Sequence, residues 1–195
     1  QETDTGVDQK MLTFFTVPKP FVEPHATIQK NAIKSWRTAC PDCQILILGN
    51  ESGVQEICKE IDAPYIPSIR YNVHNTPFLD SAFEIAREFA KFDILCYCNT
   101  DIILSANLPK ILKAISFDKF LLIGQRIDYD KPIELEHLDI EKVKKEGKLH
   151  AVTGIDYFIF TKNLFQEIPP FLIGRWAWDN WLLWKAIQEK AFVID

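Results

Sequence analysis

Apolar residues fall along this chain in two alternating rhythms. Short continuous runs of strand length are separated by stretches in which apolar positions recur every three or four residues, as on one helix face. Residues 11–17 (MLTFFTV) form the first run, β-branched and aromatic, and Pro18-Lys19-Pro20 stops it. A helix is expected over 27–40. Thr27 is placed to cap it, Ile28, Ala32, Ile33, Trp36 and Cys40 share one face, and Gln29, Lys30, Lys34 and Arg37 take the other. Residues 44–48 read as a second strand, closed by Gly49-Asn50-Glu51-Ser52-Gly53, and Val54, Ile57, Cys58 and Ile61 mark a second helix. Tyr65-Ile66-Pro67 is a short third strand. Thr76-Pro77 is expected to open the next helix, with Thr as cap and Pro at the first helical position. Leu79, Ala82, Phe83, Ala86, Phe89 and Ala90 form its core stripe.

The run 94–98 (ILCYC) has the composition of a strand buried on both faces, and the polar triplet Asn99-Thr100-Asp101 breaks it. Residues 108–115 are amphipathic and 120–124 are another buried strand. The pattern to this point is βαβαβαβαβ, the mark of a mainly parallel sheet covered by helices on both faces. From 126 to 150 it dissolves into charged sequence, read as a loop with a helix near 141–146. Order returns at 153–160, an apolar strand interrupted by Asp156. Ile168-Pro169-Pro170-Phe171 is a rigid connector, 174–181 leads into a last helix, and 192–194 starts a strand. The expectation is one α/β domain over 11–195, preceded by a polar, disordered leader at 1–10.

Composition narrows the classes. A hydrophobic share of 47% and a charged share of 25% are those of a soluble globular protein. Net charge is −5 and no basic cluster tracks a nucleic-acid backbone, so no nucleic-acid partner is expected. No apolar run approaches the roughly 20 residues that span a bilayer, so no transmembrane segment is expected. Five cysteines, an odd number without metal-ligand spacing, read as free thiols in a reducing cytoplasm. His25, His74, His137 and His150 read as surface residues.

Three places carry candidate chemistry. At the carboxyl end of a sheet strand, Asp101 can hold a divalent cation against a phosphate, although Asn99 and Asp101 also suit a plain Asx turn. Asp156, alone on an apolar strand, requires a partner if buried. Asp179, inside Trp176-Ala177-Trp178-Asp179-Asn180-Trp181, is either a helix cap or a general base beside an aromatic wall.

With Asn99-Thr100-Asp101 after the fourth strand, Gly154-Ile155-Asp156-Tyr157-Phe158 and Trp178-Asp179-Asn180-Trp181, the chain resembles GT-A glycosyltransferases. It is most similar to a family-2-like bacterial group, across 11–195. The resemblance implies a GT-A (Rossmann-like), mixed, mainly parallel sheet flanked by helices. It also implies a hexosyltransferase-type enzyme that moves a sugar from a nucleotide-sugar donor to a hydroxyl acceptor.

In that family the triplet's place is taken by a DXD motif, which binds a divalent metal (Mn²⁺ or Mg²⁺) and the donor diphosphate. Asp101 is then the metal ligand. Asn99 replaces the first carboxylate, so metal is expected to bind weakly and an Asp at position 99 to tighten it. Thr16, Val17, Pro18, Asn50, Glu51, Thr76, Asp80 and Arg126 join Asn99, Thr100 and Asp101 in the implied donor set. Asp179 corresponds to the general base of inverting relatives, with Gly154, Asp156, Trp176, Trp178, Asn180 and Trp181 on the acceptor side. Two alternatives remain: a degenerate domain that binds nucleotide or glycan without turnover, and a nucleotidyltransferase. The latter is expected to carry a Gly-rich basic loop after its first strand, where this chain has Thr16-Val17-Pro18-Lys19-Pro20.

Overall fold

The computed structural model describes residues 11–195; the leader expected at 1–10 lies outside the described residues. The first strands and helices follow the apolar rhythm: β1 (Leu12–Thr16), α1 (His25–Ala39), β2 (Gln44–Leu48), α2 (Val54–Glu60) and β3 (Tyr65–Ile66). α3 (Leu79–Phe89), β4 (Ile94–Cys98), α4 (Leu108–Ala114) and β5 (Phe120–Leu122) continue it. The charged stretch that follows contains a two-stranded ribbon, β6 (Ile127–Asp128) with β7 (Lys148–Leu149), and α5 (Ile140–Glu146) between them. β8 (Tyr157–Thr161), α6 (Trp178–Gln188) and β9 (Phe192–Ile194) complete the chain.

Seven strands form one sheet in the order β3-β2-β1-β4-β8-β5-β9. β8 pairs antiparallel with both β4 and β5, and every other pairing is parallel. The sheet is therefore mixed and mainly parallel, with β8 as its one reversed strand. Side chains that alternate along each strand divide the core in two. Phe14, Ile45, Ile47, Cys96 and Cys98 meet Trp36 of α1, Ile57 of α2 and Leu112 of α4. On the other face Phe15, Leu46, Leu95, Tyr97 and Phe160 meet Phe83 of α3 and Leu182 of α6. All five cysteines are buried and unpaired. No helix among the described residues is long and apolar enough to cross a membrane.

The expected caps are displaced. α1 begins at His25, before Thr27, whose hydroxyl donates to Glu23 Oε1 at 2.9 Å. Thr76-Pro77 precedes α3 rather than starting it, because Asn72 Oδ1 accepts from the N–H of His74 and of Thr76, each at 2.9 Å. That Asx-type closure and the Tyr71–Pro77 bridge make the segment a turn. α3 starts at Leu79. Residues 153–156 are likewise not strand: Gly154 N–H turns back to Ala151 O, and β8 starts only at Tyr157. Gln29, expected on the wet side of α1, is 3% exposed. It accepts from Lys19 N–H and donates to Lys19 O, so it ties the β1–α1 connection to the helix.

Candidate functional site

β1, β2 and β4 end at the same edge of the sheet, and β8, running the other way, begins there. In a sheet of this kind that edge is where ligands bind. The triplet Asn99-Thr100-Asp101 leaves β4 at this edge, and its three side chains go to different places.

Thr100 turns inward. Its hydroxyl donates to Gln29 Oε1 at 2.8 Å, so it closes the inner wall and does not face a donor. Asn99 is joined to Asp156 twice: its N–H donates to Asp156 O and its Nδ2 to Asp156 Oδ1, both at 2.9 Å. The carboxyl of Asp101 makes no ion pair with a described residue. Although the side chain reaches solvent, desolvation raises its pKa above the ordinary carboxylate value; Asp156 raises it further, against a hydrogen bond from its own backbone N–H, then Arg126 and Lys19.

Asp156 has the partner its burial requires. Its second oxygen pairs with Arg126 Nη1. Arg126 also donates from Nε to Asp128 Oδ1 at 2.8 Å, and its Nη2 lies 3.0 Å from His150 Nδ1. His150 Nδ1 lies 2.7 Å from Asp128 Oδ2, and Asp128 is held below the usual carboxylate range by Arg126 and then His150. Two expectations change. Arg126 is committed to two carboxylates rather than free to meet a diphosphate, and His150 belongs to this cluster rather than to the open surface. Asp156, with both oxygens occupied, does not reach for an acceptor directly.

Gly154 is required by close approach: a Cβ there would lie 2.4 Å from His150 Cδ2. Gly154→Ala is therefore expected to displace the His150 ring and to cost about 1 to 2 kcal/mol, read from the urea midpoint. An unchanged midpoint would show that the ring moves aside freely.

The other donor-set residues line the same edge with different degrees of access. Thr16 ends β1 and is 1% exposed, and its Oγ1 has no hydrogen-bond partner. Val17 packs beside Gly49, and Pro18 is buried. Asn50 Oδ1 accepts from Tyr71 across a long 3.5 Å, and Glu51 accepts at its carbonyl from Val54 N–H, at the start of α2. Asp80, in the first turn of α3, binds Arg70 through Oδ2 at 2.5 Å, while its Oδ1 is buried and unpartnered. Thr76 lies in the turn before α3.

The tryptophan segment divides sharply at Ala177, which has φ +81 and is the N-cap of α6. Trp178 is 6% exposed and packs on Tyr97 and Phe158, so it is core and not a sugar-facing wall. Its contact with Tyr97 fixes the start of α6 at the triplet's edge of the sheet. Trp176 is 96% exposed. Trp181 is half-buried against Phe171. Asp179 sits in the first helical turn, not at the cap. Its Oδ1 accepts from Asn180 N–H at 2.8 Å and from Asn180 Nδ2 at 3.3 Å, and Oδ2 has no partner among the described residues. Asn180 thus orients the carboxyl.

Among the described residues no group of three or more His, Cys, Asp or Glu side chains is placed to hold a metal. Asp101 alone fits only a cation shared with a diphosphate, whose oxygens fill most of its shell. A cavity of about 630 Å³ opens at the opposite, amino edge of the sheet, among Arg37, Gln44, Asp62 and Lys91, away from every residue above.

No protein-family model matches the chain, and no curated protein matches it in sequence. Solved structures match it in fold. A 4-diphosphocytidyl-2C-methyl-D-erythritol synthase from Anaerococcus prevotii is similar over 96% of this chain and 88% of its own, with 10% identity and a TM-score of 0.55. A protein assigned as a nucleotide-diphospho-sugar transferase from Desulfovibrio desulfuricans is similar over 94% of this chain and 78% of its own, with 13% identity and a TM-score of 0.51. The glycosyltransferase GlyE of Streptococcus pneumoniae is similar over 96% of this chain but 45% of its own, with 9% identity and a TM-score of 0.51. The chain has the mixed, mainly parallel architecture of these proteins, the GT-A-like fold.

Proposed function

We propose that this chain is a glycosyltransferase of the family-2-like group, which moves a sugar from a nucleotide-sugar donor to a hydroxyl acceptor with inversion. The observation that carries the reading is two carboxylates, Asp101 just after β4 without an ion pair and Asp179 in α6 with an unpartnered Oδ2, on segments that meet at one sheet edge through Trp178 and Tyr97. In this reading Asp179 Oδ2 takes the proton of the acceptor hydroxyl as that oxygen bonds to the anomeric carbon. The bond from that carbon to the diphosphate oxygen breaks on the opposite face, which inverts the centre. Asp101 would be the residue to hold a divalent cation, Mn²⁺ or Mg²⁺, which would supply positive charge to the leaving group.

The test is calorimetry with UDP, GDP and dTDP with and without Mn²⁺, followed by assays of nucleoside diphosphate release from the corresponding sugar donors. Asp101→Ala is expected to abolish most Mn²⁺-dependent binding. Because a cation takes the ionised carboxyl and Asp101 has a raised pKa, wild-type binding should weaken on acidification sooner than for an ordinary exposed Asp. Unchanged binding in Asp101→Ala would leave Asp101 a turn residue. Failure of the folded protein to bind any of the three nucleotides sinks the donor site. Binding without turnover marks a degenerate domain.

Likeness to the synthase supports nucleotidyl transfer as a second reading, which would release pyrophosphate from a nucleoside triphosphate. The β1–α1 turn weighs against it. Pro18 and Pro20 carry no N–H, and the N–H groups of Lys19, Phe21 and Val22 are bonded to Gln29, Ser52 and Pro20. Those three N–H groups are thus committed and cannot cradle a phosphate chain.

A further inference from the structure

We propose that Asp156 is the positioning residue of the donor site: it turns the Asn99 amide so that its carbonyl oxygen faces the donor beside the Asp101 carboxylate. The proposal rests on the donor-site reading above and deepens it. A carboxylate offers acceptors only, whereas an amide has a donating and an accepting end. Asp156 Oδ1, 2.9 Å from Asn99 Nδ2, therefore decides which end of Asn99 it meets. The other end, Oδ1, accepts no hydrogen bond from a described residue and is not among the buried orphan atoms.

Asp156 itself has no freedom to turn. Its second oxygen is held by Arg126, which Asp128 holds in turn at 2.8 Å, and its carbonyl accepts Asn99 N–H. What Asn99 and Asp101 themselves offer is a pair of acceptors, Asn99 Oδ1 and the Asp101 carboxyl, with Arg126 and Lys19 near enough to act on the latter. Such a pair takes electron-poor groups: the hydroxyl hydrogens of a nucleoside's sugar, or a cation carried by its diphosphate.

The arrangement also explains why position 99 holds Asn. An Asp there would set a second carboxylate against Asp156 at hydrogen-bond distance with no proton between them, and like charges so placed repel. Restoring the first carboxylate of a DXD motif should then damage this site, opposite to the expectation from sequence. The negative charge has a place at 99 only if it leaves 156.

The experiment is nucleoside diphosphate affinity by calorimetry, using UDP, GDP and dTDP with and without Mn²⁺. Wild type, Asn99→Asp and the exchange Asn99→Asp/Asp156→Asn are compared well below each protein's melting temperature. Asn99→Asp is expected to weaken binding about tenfold or more, and the exchange to return it close to the wild-type value. A loss seen only with Mn²⁺ assigns the pair to a cation; a loss in both arms assigns it to a sugar hydroxyl. If Asn99→Asp binds as well as wild type, or the exchange stays as weak as the single variant while equally stable, Asp156 does not position Asn99. Should Asn99→Asp not fold, Asp156→Asn alone serves: it frees the Asn99 amide to turn, and unchanged affinity overturns the proposal. Wild type that binds none of the nucleotides rejects the donor-site reading, and the proposal falls with it.

Discussion

Asp179→Asn is expected to lower turnover by about 10²- to 10⁴-fold, the usual contribution of a general base, with donor affinity unchanged. Asparagine keeps the size of the side chain and an oxygen to accept from Asn180 N–H, but cannot take up a proton at neutral pH. The helix should hardly notice. Its N-cap is Ala177, so no capping bond is lost, and the missing charge in the first turn costs about 0.3–1 kcal/mol of helix-dipole stabilisation. Initial-rate measurements beside a melting curve separate the outcomes. Near-normal turnover would reduce Asp179 to a favourable first-turn charge. A product that retains the donor's anomeric configuration would reject the inverting mechanism whatever the rates.

The largest loss of stability is expected from Phe83→Ala, at about 3–5 kcal/mol, a third or more of the total for many domains of marginal stability. Phe83 is fully buried on the sheet face under α3. Its ring stacks on Phe160 at 5.4 Å and meets Phe15 edge-on at 4.9 Å, with Tyr97 at 5.9 Å and Phe165 at 6.0 Å. Those four rings come from β1, β4, β8 and the turn after β8, so the cavity left by truncation cannot be closed by moving one element. The urea midpoint should fall with the m-value unchanged. A loss below about 1 kcal/mol would show that this face repacks as a liquid would, contrary to the close packing of protein cores.

The elements read from apolar rhythm were those where burial alone decides conformation. Residues 94–98 alternate between the two core faces, and Leu79, Ala82, Phe83 and Ala86 lie against the sheet, because nothing but packing competes for those side chains; Phe89, read with them, is 47% exposed at the end of α3. Direction is another matter. The run around Phe158 reads as a strand, but apolar pattern carries no information on which way a strand runs, so the reversal of β8 was invisible. So was the β6–β7 ribbon, whose two-residue strands are too short to show a period.

The caps at Thr27 and Thr76 were overruled by Glu23 and Asn72, which capture nearby groups first. In the site, Asp156 was legible as a carboxylate in need of a partner, and Arg126 was in view for other work. That they belong together depends on a contact 30 residues apart. Gln29 and His150 gave no sign of their roles, since neither sits in a motif. Trp176 and Trp178 look alike in sequence; the backbone turn at Ala177 sends one to water and the other to the core.

The reversed strand also sets an order of assembly. β3, β2, β1 and β4 all lie before Asn99 and can pair as soon as they exist, but the free edge of β4 awaits β8. β5, made earlier than β8, has no place in the sheet without it, because its neighbours are β8 and β9. On a ribosome adding about 5–20 residues per second, the roughly sixty residues between β4 and β8 take about 3 to 12 s. Throughout that interval Ile94 to Cys98 present an unpaired, apolar edge of the sort that recruits foreign strands. The nascent chain is most exposed to aggregation in that window, and a holding chaperone would act there.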